Sequence, residues 1–131
     1  MTAPHVAFVE SNLAGLAAPA AARRAGCRVS LLYEPTATWL RHPAGRAALA
    51  AADRALPLAD PYDPGALLAA VRALDAEEPL AALITVLEYC VEPVAAAAAA
   101  LGLPGTPPSV MATARHKGQT RRRLEEAGLP S

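Results

Sequence analysis

Residues 80 to 87, Leu-Ala-Ala-Leu-Ile-Thr-Val-Leu, form an almost continuous apolar run between Pro79 and Glu88. A short run of this kind, lacking polar alternation, suits a strand covered on both faces, the situation of a central strand in a parallel sheet. Parallel strands cannot be joined by tight turns, so the rest of the chain should supply crossover helices and further strands. The expected fold is therefore α/β: an open, mostly parallel, Rossmann-like sheet with helices on both faces.

The remaining chain reads in that alternation. Val6 to Val9 is a short apolar run ending in Glu10-Ser11-Asn12, as a buried strand feeding a loop would. Leu16 to Ala25 is rich in Ala, Leu and Arg and is closed by Gly26, so it is expected to be a helix. Cys27 to Tyr33 is the next strand, stopped by Glu34-Pro35. A short helix is expected over Gly45 to Arg54, and a short strand over Leu56 to Ala59, with Pro57 restricting it to an edge or a strand end. Asp63-Pro64 should open a helix reaching Leu74, as an N-cap followed by proline at the first helical position. After the 80 to 87 strand, a helix is expected from Glu92 to Leu101 with Gly102 closing it, and Ser109 is placed to cap a short helix through His116. Residues 1–108 read as the α/β domain and residues 109–131 as linker helices.

Composition narrows the function classes. Twelve basic and twelve acidic residues give zero formal net charge, which argues against general attraction to nucleic acid or to an acidic membrane surface. No stretch reaches the roughly 18 apolar residues of a membrane span, and the N-terminus lacks the basic region of a secretory signal, so a cytoplasmic location is expected. Cys27 and Cys90 stand far apart with no CxxC or Cys/His cluster, so buried free thiols are expected rather than a zinc or redox site.

In a sheet of this type, ligands bind outside the carboxyl ends of the strands. The loop after the first strand has a single glycine, Gly15, and neither GxGxxG nor GxxxxGK[ST] occurs, which disfavours dinucleotide or P-loop chemistry. Glu10, Ser11 and Asn12 instead offer a carboxylate, a hydroxyl and an amide suited to a small polar substrate; the alternative is that they cap the next helix. Glu88, at the end of the 80 to 87 run, is a second substrate-contact candidate or a solvated loop residue. Lys117 has no acidic residue four positions on, unlike Arg121 with Glu125 and Arg122 with Glu126, so it is either a solvated lysine or a phosphate contact. No catalytic residue and no metal ligand is assigned.

Lys117, a short helix with arginines and Leu124, and then Ala127-Gly128-Leu129-Pro130 resemble the segment that joins the first domain of ATP-grasp enzymes to their ATP-binding domain. The likeness extends back through Leu101-Gly102-Leu103-Pro104-Gly105 and Glu88-Tyr89 to Phe8-Val9-Glu10-Ser11-Asn12. It is similar both to biotin carboxylase and its relatives and to bacterial amino-acid and peptide ligases. The resemblance implies a pre-ATP-grasp domain of a carboxylate–amine ligase that uses ATP and Mg²⁺, with Lys117 contacting ATP phosphates. Glu10, Ser11, Asn12 and Glu88 would lie on the side of the carboxylate and amine substrates. It also implies that the metal ligands lie beyond Ser131, so that the chain alone is inactive, and it leaves a homodimer possible. The competing reading is a non-enzymatic α/β module for a small molecule or nucleotide, or one subunit of a split ligase.

Overall fold

A computed structural model describes residues 2–130. Four parallel strands, β1 (His5–Val9), β2 (Arg28–Tyr33), β3 (Arg54–Pro57) and β4 (Ala82–Ile84), form one sheet in the order β3-β2-β1-β4. They alternate with α1 (Ala17–Arg24), α2 (Pro43–Ala51), α3 (Pro64–Glu77) and α4 (Val91–Ala100); α5 (Pro108–Arg115) and α6 (Lys117–Glu126) follow. No helix among the described residues is long and apolar enough to cross a membrane.

The alternation of side chains along β1 builds both layers. Ala7 and Val9 point to one face, where Leu67, Val71 and Leu74 of α3 and Val94, Ala97 and Ala98 of α4 cover them. Val6 and Phe8 point to the other, against Leu16 at the start of α1, Trp39 and Ala48 of α2. Full burial of a side chain the size of Leu67 or Leu74 contributes about 1.5 to 3 kcal/mol, so both layers are needed to hold the sheet.

Local chemistry sets the element ends. Gly26 and Gly102 close α1 and α4 with φ of +89° and +67°, as expected from their positions. Asp63 caps α3, its Oδ2 accepting from the Ala66 N–H at 2.7 Å. Pro57 is the last residue of β3, an edge strand, where its missing N–H breaks no ladder.

Three expectations need correction. The 80 to 87 run pairs only over Ala82–Ile84 and lies at the sheet edge beside β1, with Ile84 38% exposed, not at the centre. Beyond Ile84 the Thr85 hydroxyl donates to the Val9 carbonyl at 2.8 Å and occupies an acceptor that a longer ladder would have used. The third strand begins at Arg54 and the helix before it at Pro43, both earlier than expected, because His42 accepts from the Ala44 N–H and Pro43 takes the first helical position. Finally, Ser109 is not a cap: α5 starts at Pro108 with Pro107 before it, and Ser109 lies in the first turn, its carbonyl accepting from Thr113 Oγ1.

Candidate functional site

The carboxyl ends of β1 and β2 open into a cleft of about 910 Å³ whose walls include Glu10, Ser11, Asn12, Glu34 and Trp39. Thr36, Thr38, Arg41, His42, Tyr62 and Tyr89 complete its polar lining.

Glu10 is the organising residue. It is 2% exposed and adopts φ of +59°, the left-handed region that costs a residue with a Cβ about 1 to 2 kcal/mol. Three hydrogen bonds offset that cost. Its N–H donates to the Leu32 carbonyl at 2.8 Å, its Oε1 accepts from the Glu34 N–H, and its Oε2 accepts from the Trp39 indole Nε1–H at 3.1 Å. Both carboxylate oxygens therefore have protein donors, and the carboxylate fastens the segment after β2 across the cleft floor. Trp39 is itself buried, with its ring edge-on to Tyr33 at 6.4 Å between centroids.

Ser11 is buried and its hydroxyl donates to the Asn12 carbonyl at 3.1 Å. Asn12 spends both ends of its amide on the fold: Oδ1 accepts from the Gly15 N–H at 2.8 Å and Nδ2 donates to the Val86 carbonyl at 3.2 Å. The capping alternative thus describes Asn12, although the capped element is a 3-10 turn, Leu13–Gly15, ahead of α1.

The structure places Glu88 and Lys117 apart from these three. The Glu88 side chain is 80% exposed, lies outside the cleft lining, and meets Arg115 Nη1 at 2.9 Å. Arg115 also donates to the Glu88 carbonyl at 3.0 Å, reaches Glu92 at 3.4 Å, and stacks 5.8 Å from the Tyr89 ring centroid. Lys117 is the exposed first residue of α6, and its side chain has no hydrogen bond or ion pair among the described residues. The pairs expected for Arg121 and Arg122 do not form there; Arg123 meets Glu126 at 3.3 Å instead, one turn away at i,i+3.

The cleft floor carries a negative field. Partial burial, then the carboxylates of Glu10 and Glu34, with Cys90 between them in effect, push Tyr62 above its ordinary value. Burial and then Glu10 push the Cys90 thiol up to about 12. Cys90 is the buried free thiol expected; Cys27 is only half-buried. Among the described residues no three His, Cys, Asp or Glu side chains gather as metal ligands.

Arg41, His42, Glu34, Tyr62 and the wall role of Trp39 escaped the sequence reading. They sit on irregular segments between elements, and the one signal was Trp39, the only tryptophan. Tyr89 was noted only as the neighbour of Glu88.

The ATP-grasp N-terminal domain profile matches residues 20–105, more than half of the chain. A search of curated proteins finds no match. Among solved structures, an L-amino acid ligase from Bacillus licheniformis aligns with a TM-score of 0.78 at 29% identity, over 100% of this chain and 32% of that one. Phosphoribosylglycinamide synthetase from Anaerococcus prevotii aligns with a TM-score of 0.76 at 17% identity, over 94% of this chain and 28% of its own, and shows a shared fold. The chain thus spans about a third of the length of the structures it matches. Its parallel sheet covered on both faces, its cleft at the carboxyl strand ends and its match to the domain profile lead to one assignment: the chain belongs to the ATP-grasp N-terminal domain family.

Proposed function

We propose that this domain forms the substrate-side half of an ATP-dependent carboxylate–amine ligase. The observation that carries the reading is the polar cleft at the carboxyl ends of β1 and β2, on the fold of this family. In the proposed reaction a substrate carboxylate oxygen attacks the γ-phosphorus of ATP, releasing ADP and leaving an acyl phosphate. The amine then attacks the acyl carbon; inorganic phosphate departs, the nitrogen loses a proton and the amide remains. The domain's part is to bind and orient, which raises the effective concentration of the reacting groups.

In this reading the Glu10 to Asn12 loop acts chiefly by fixing the cleft wall, since its carboxylate and amide are already engaged within the fold. Glu88 acts from outside the wall, through Arg115 and the adjacent Tyr89. Lys117, exposed at the start of α6, is free to meet an ATP phosphate presented by an adjoining ATP-binding domain. The donor set of the described residues does not furnish a Mg²⁺ site, so no step is assigned to metal held by this chain.

The test is ADP release that requires both a carboxylic acid and an amine, measured on this domain joined to an ATP-grasp catalytic half. Lys117→Ala in that polypeptide should raise KM for ATP and lower kcat/KM about tenfold or more, the cost of one charge-assisted contact, about 1.5 to 3 kcal/mol. Its melting temperature should stay unchanged, because the exposed Lys117 side chain makes no hydrogen bond or ion pair among the described residues. Arg122→Ala, also on α6, should change ATP kinetics little. Wild-type ATP kinetics in Lys117→Ala would remove the phosphate assignment, and absence of substrate-dependent ADP release would remove the ligase reading itself.

A further inference from the structure

A guanidinium and an imidazole stand side by side on the cleft lining, at Arg41 and His42, and each keeps donor capacity that the fold does not use. Arg41 ends the 3-10 turn Thr38–Arg41; among the described residues its side chain makes no hydrogen bond and no ion pair, and its carbonyl, not its guanidinium, is what Arg46 binds. By contrast Arg23, Arg28, Arg54 and Arg115 each sit on a carboxylate. His42, the next residue, accepts the Ala44 N–H at its Nδ1, 3.1 Å away. That bond leaves Nε2 as the protonated nitrogen of the neutral ring, a donor with no partner among the described residues.

The position of this pair is held from behind. Trp39, two residues before Arg41, is buried and tied to Glu10, and the Gly45 Cα lies so close to the Trp39 carbonyl oxygen that a side chain there would collide with it. The pair is therefore carried by a pinned corner of the chain rather than by a free loop. The other charged groups lining the cleft are carboxylates, Glu10 engaged at the floor and Glu34, whose Oε1 accepts from Thr36 Oγ1 at 2.6 Å. A cleft with the Arg41 guanidinium and the His42 N–H on one side and carboxylates elsewhere suits a small molecule bearing both charges, because each side repels the wrong end.

We infer that Arg41 and His42 form an anion subsite that receives the carboxylate of a small amino-acid-like zwitterion, with its ammonium group toward Glu34. The inference rests on the ligase reading only for the fate of the bound molecule; the subsite itself is a binding claim about this chain. Arginine presents paired N–H donors matched to the two oxygens of a carboxylate, and the histidine adds a third donor. An ATP phosphate is the competing anion. The lining favours the carboxylate, since Glu10 and Glu34 share this cleft and would repel the higher charge of a polyphosphate.

The test is an NMR titration of the 131-residue chain with L-alanine, L-alaninamide, propionate and inorganic phosphate, following backbone amides and the Trp39 indole. L-Alanine is expected to shift Arg41, His42 and the Trp39 indole saturably, and propionate to shift the same resonances more weakly for want of the ammonium. L-Alaninamide and phosphate should leave them in place. Arg41→Gln should weaken L-alanine binding about tenfold while Arg72→Gln, an exposed arginine on α3, leaves it unchanged. Equal affinity in wild type and Arg41→Gln, shifts confined to another surface, or no saturable shift at all would overturn the subsite. A stronger response to phosphate than to L-alanine would also overturn it, in favour of a nucleotide contact. The outcome is separable from the ligase reading: carboxylate binding with no ADP release in the joined enzyme would sink only that reading, and ADP release with an unchanged amino-acid KM in Arg41→Gln would sink only the subsite.

Discussion

At the scale of single residues, Glu10 shows how a carboxylate at a strand terminus can be engaged by the fold beside a cleft. A buried carboxylate is tolerable when its lone pairs are occupied, and here the Glu34 amide and the Trp39 indole occupy them. Glu10→Ala would strand both donors in the interior, and the expected loss is about 2 to 4 kcal/mol, with Glu10→Gln losing less because one acceptor oxygen remains. Urea unfolding followed by Trp39 fluorescence reads both variants, since no other tryptophan contributes. An Ala variant as stable as wild type would show that the carboxylate organises nothing. Asn12 is engaged in the same way at both ends of its amide, and the Ser11 hydroxyl donates to the Asn12 carbonyl.

At the scale of elements, the joint between the α/β body and its last two helices is the distinctive feature. The chain leaves α4 through Gly102 and a proline-rich turn, and α5 returns against α4. Arg115, the last residue of α5, then grips Glu88, Glu92 and the face of Tyr89, a cleft-wall residue. A displacement of α5 would therefore be felt at the cleft, and the same two helices carry Lys117. Arg115→Ala should raise amide hydrogen exchange across α5 and α6 and around Tyr89 severalfold, while the global melt shifts little. Its partners are largely solvated, and exposed pairs are worth about 0 to 1 kcal/mol. Unchanged exchange in both helices and at Tyr89 would show that Arg115 is not the clasp.

At the scale of the whole molecule, the two ends of the sheet differ in purpose. The carboxyl ends hold the cleft, whereas the amino ends are closed by a polar lock. There His5 Nε2 lies 2.8 Å from Ser30 Oγ and its Nδ1 lies 3.0 Å from the Glu78 carbonyl, while Arg28 Nε meets Glu78 Oε1 at 2.5 Å. The hydrogen bond from Arg28, and more weakly the charges of His5 and Arg28, hold the Glu78 carboxyl below its ordinary value of 4.5. A depressed folded-state value means that its stabilisation is complete above 4.5 and is lost as the pH falls below 4.5 through the folded value. Wild type should accordingly lose stability over that acid range more steeply than Glu78→Gln, measured as unfolding free energy against pH, with the gap between the two closing at the acid end. Parallel curves would show that the pair is uncoupled from folding.

Much of the architecture is local enough to be written in the residue order. The apolar runs at Val6 to Val9 and Val29 to Tyr33, the Asp63-Pro64 helix start and the closing glycines at 26 and 102 act over one or two turns, and they appear where the sequence places them. Strand order, by contrast, is a long-range result. An apolar run at 80 to 87 states that the segment is buried but not what buries it, and packing of α4 hides Leu83 while the sheet stops at Ile84. The cleft is a tertiary product to a still greater degree. Glu10 to Asn12 were legible as a polar strand end, yet whether such groups face a ligand or the protein depends on donors distant in sequence, at Glu34, Trp39 and Val86. Arg41 and His42 lay in an irregular stretch with no periodicity to read, and only the folding of that stretch over the end of β2 makes them neighbours of the same cavity. The sequence by itself determined the α/β layering, because helix ends and strand burial are encoded nearby, and its motifs in their order carried the likeness to the family; the tertiary structure decided which polar groups are spent and which remain free, because a hydrogen bond's partner is chosen in space.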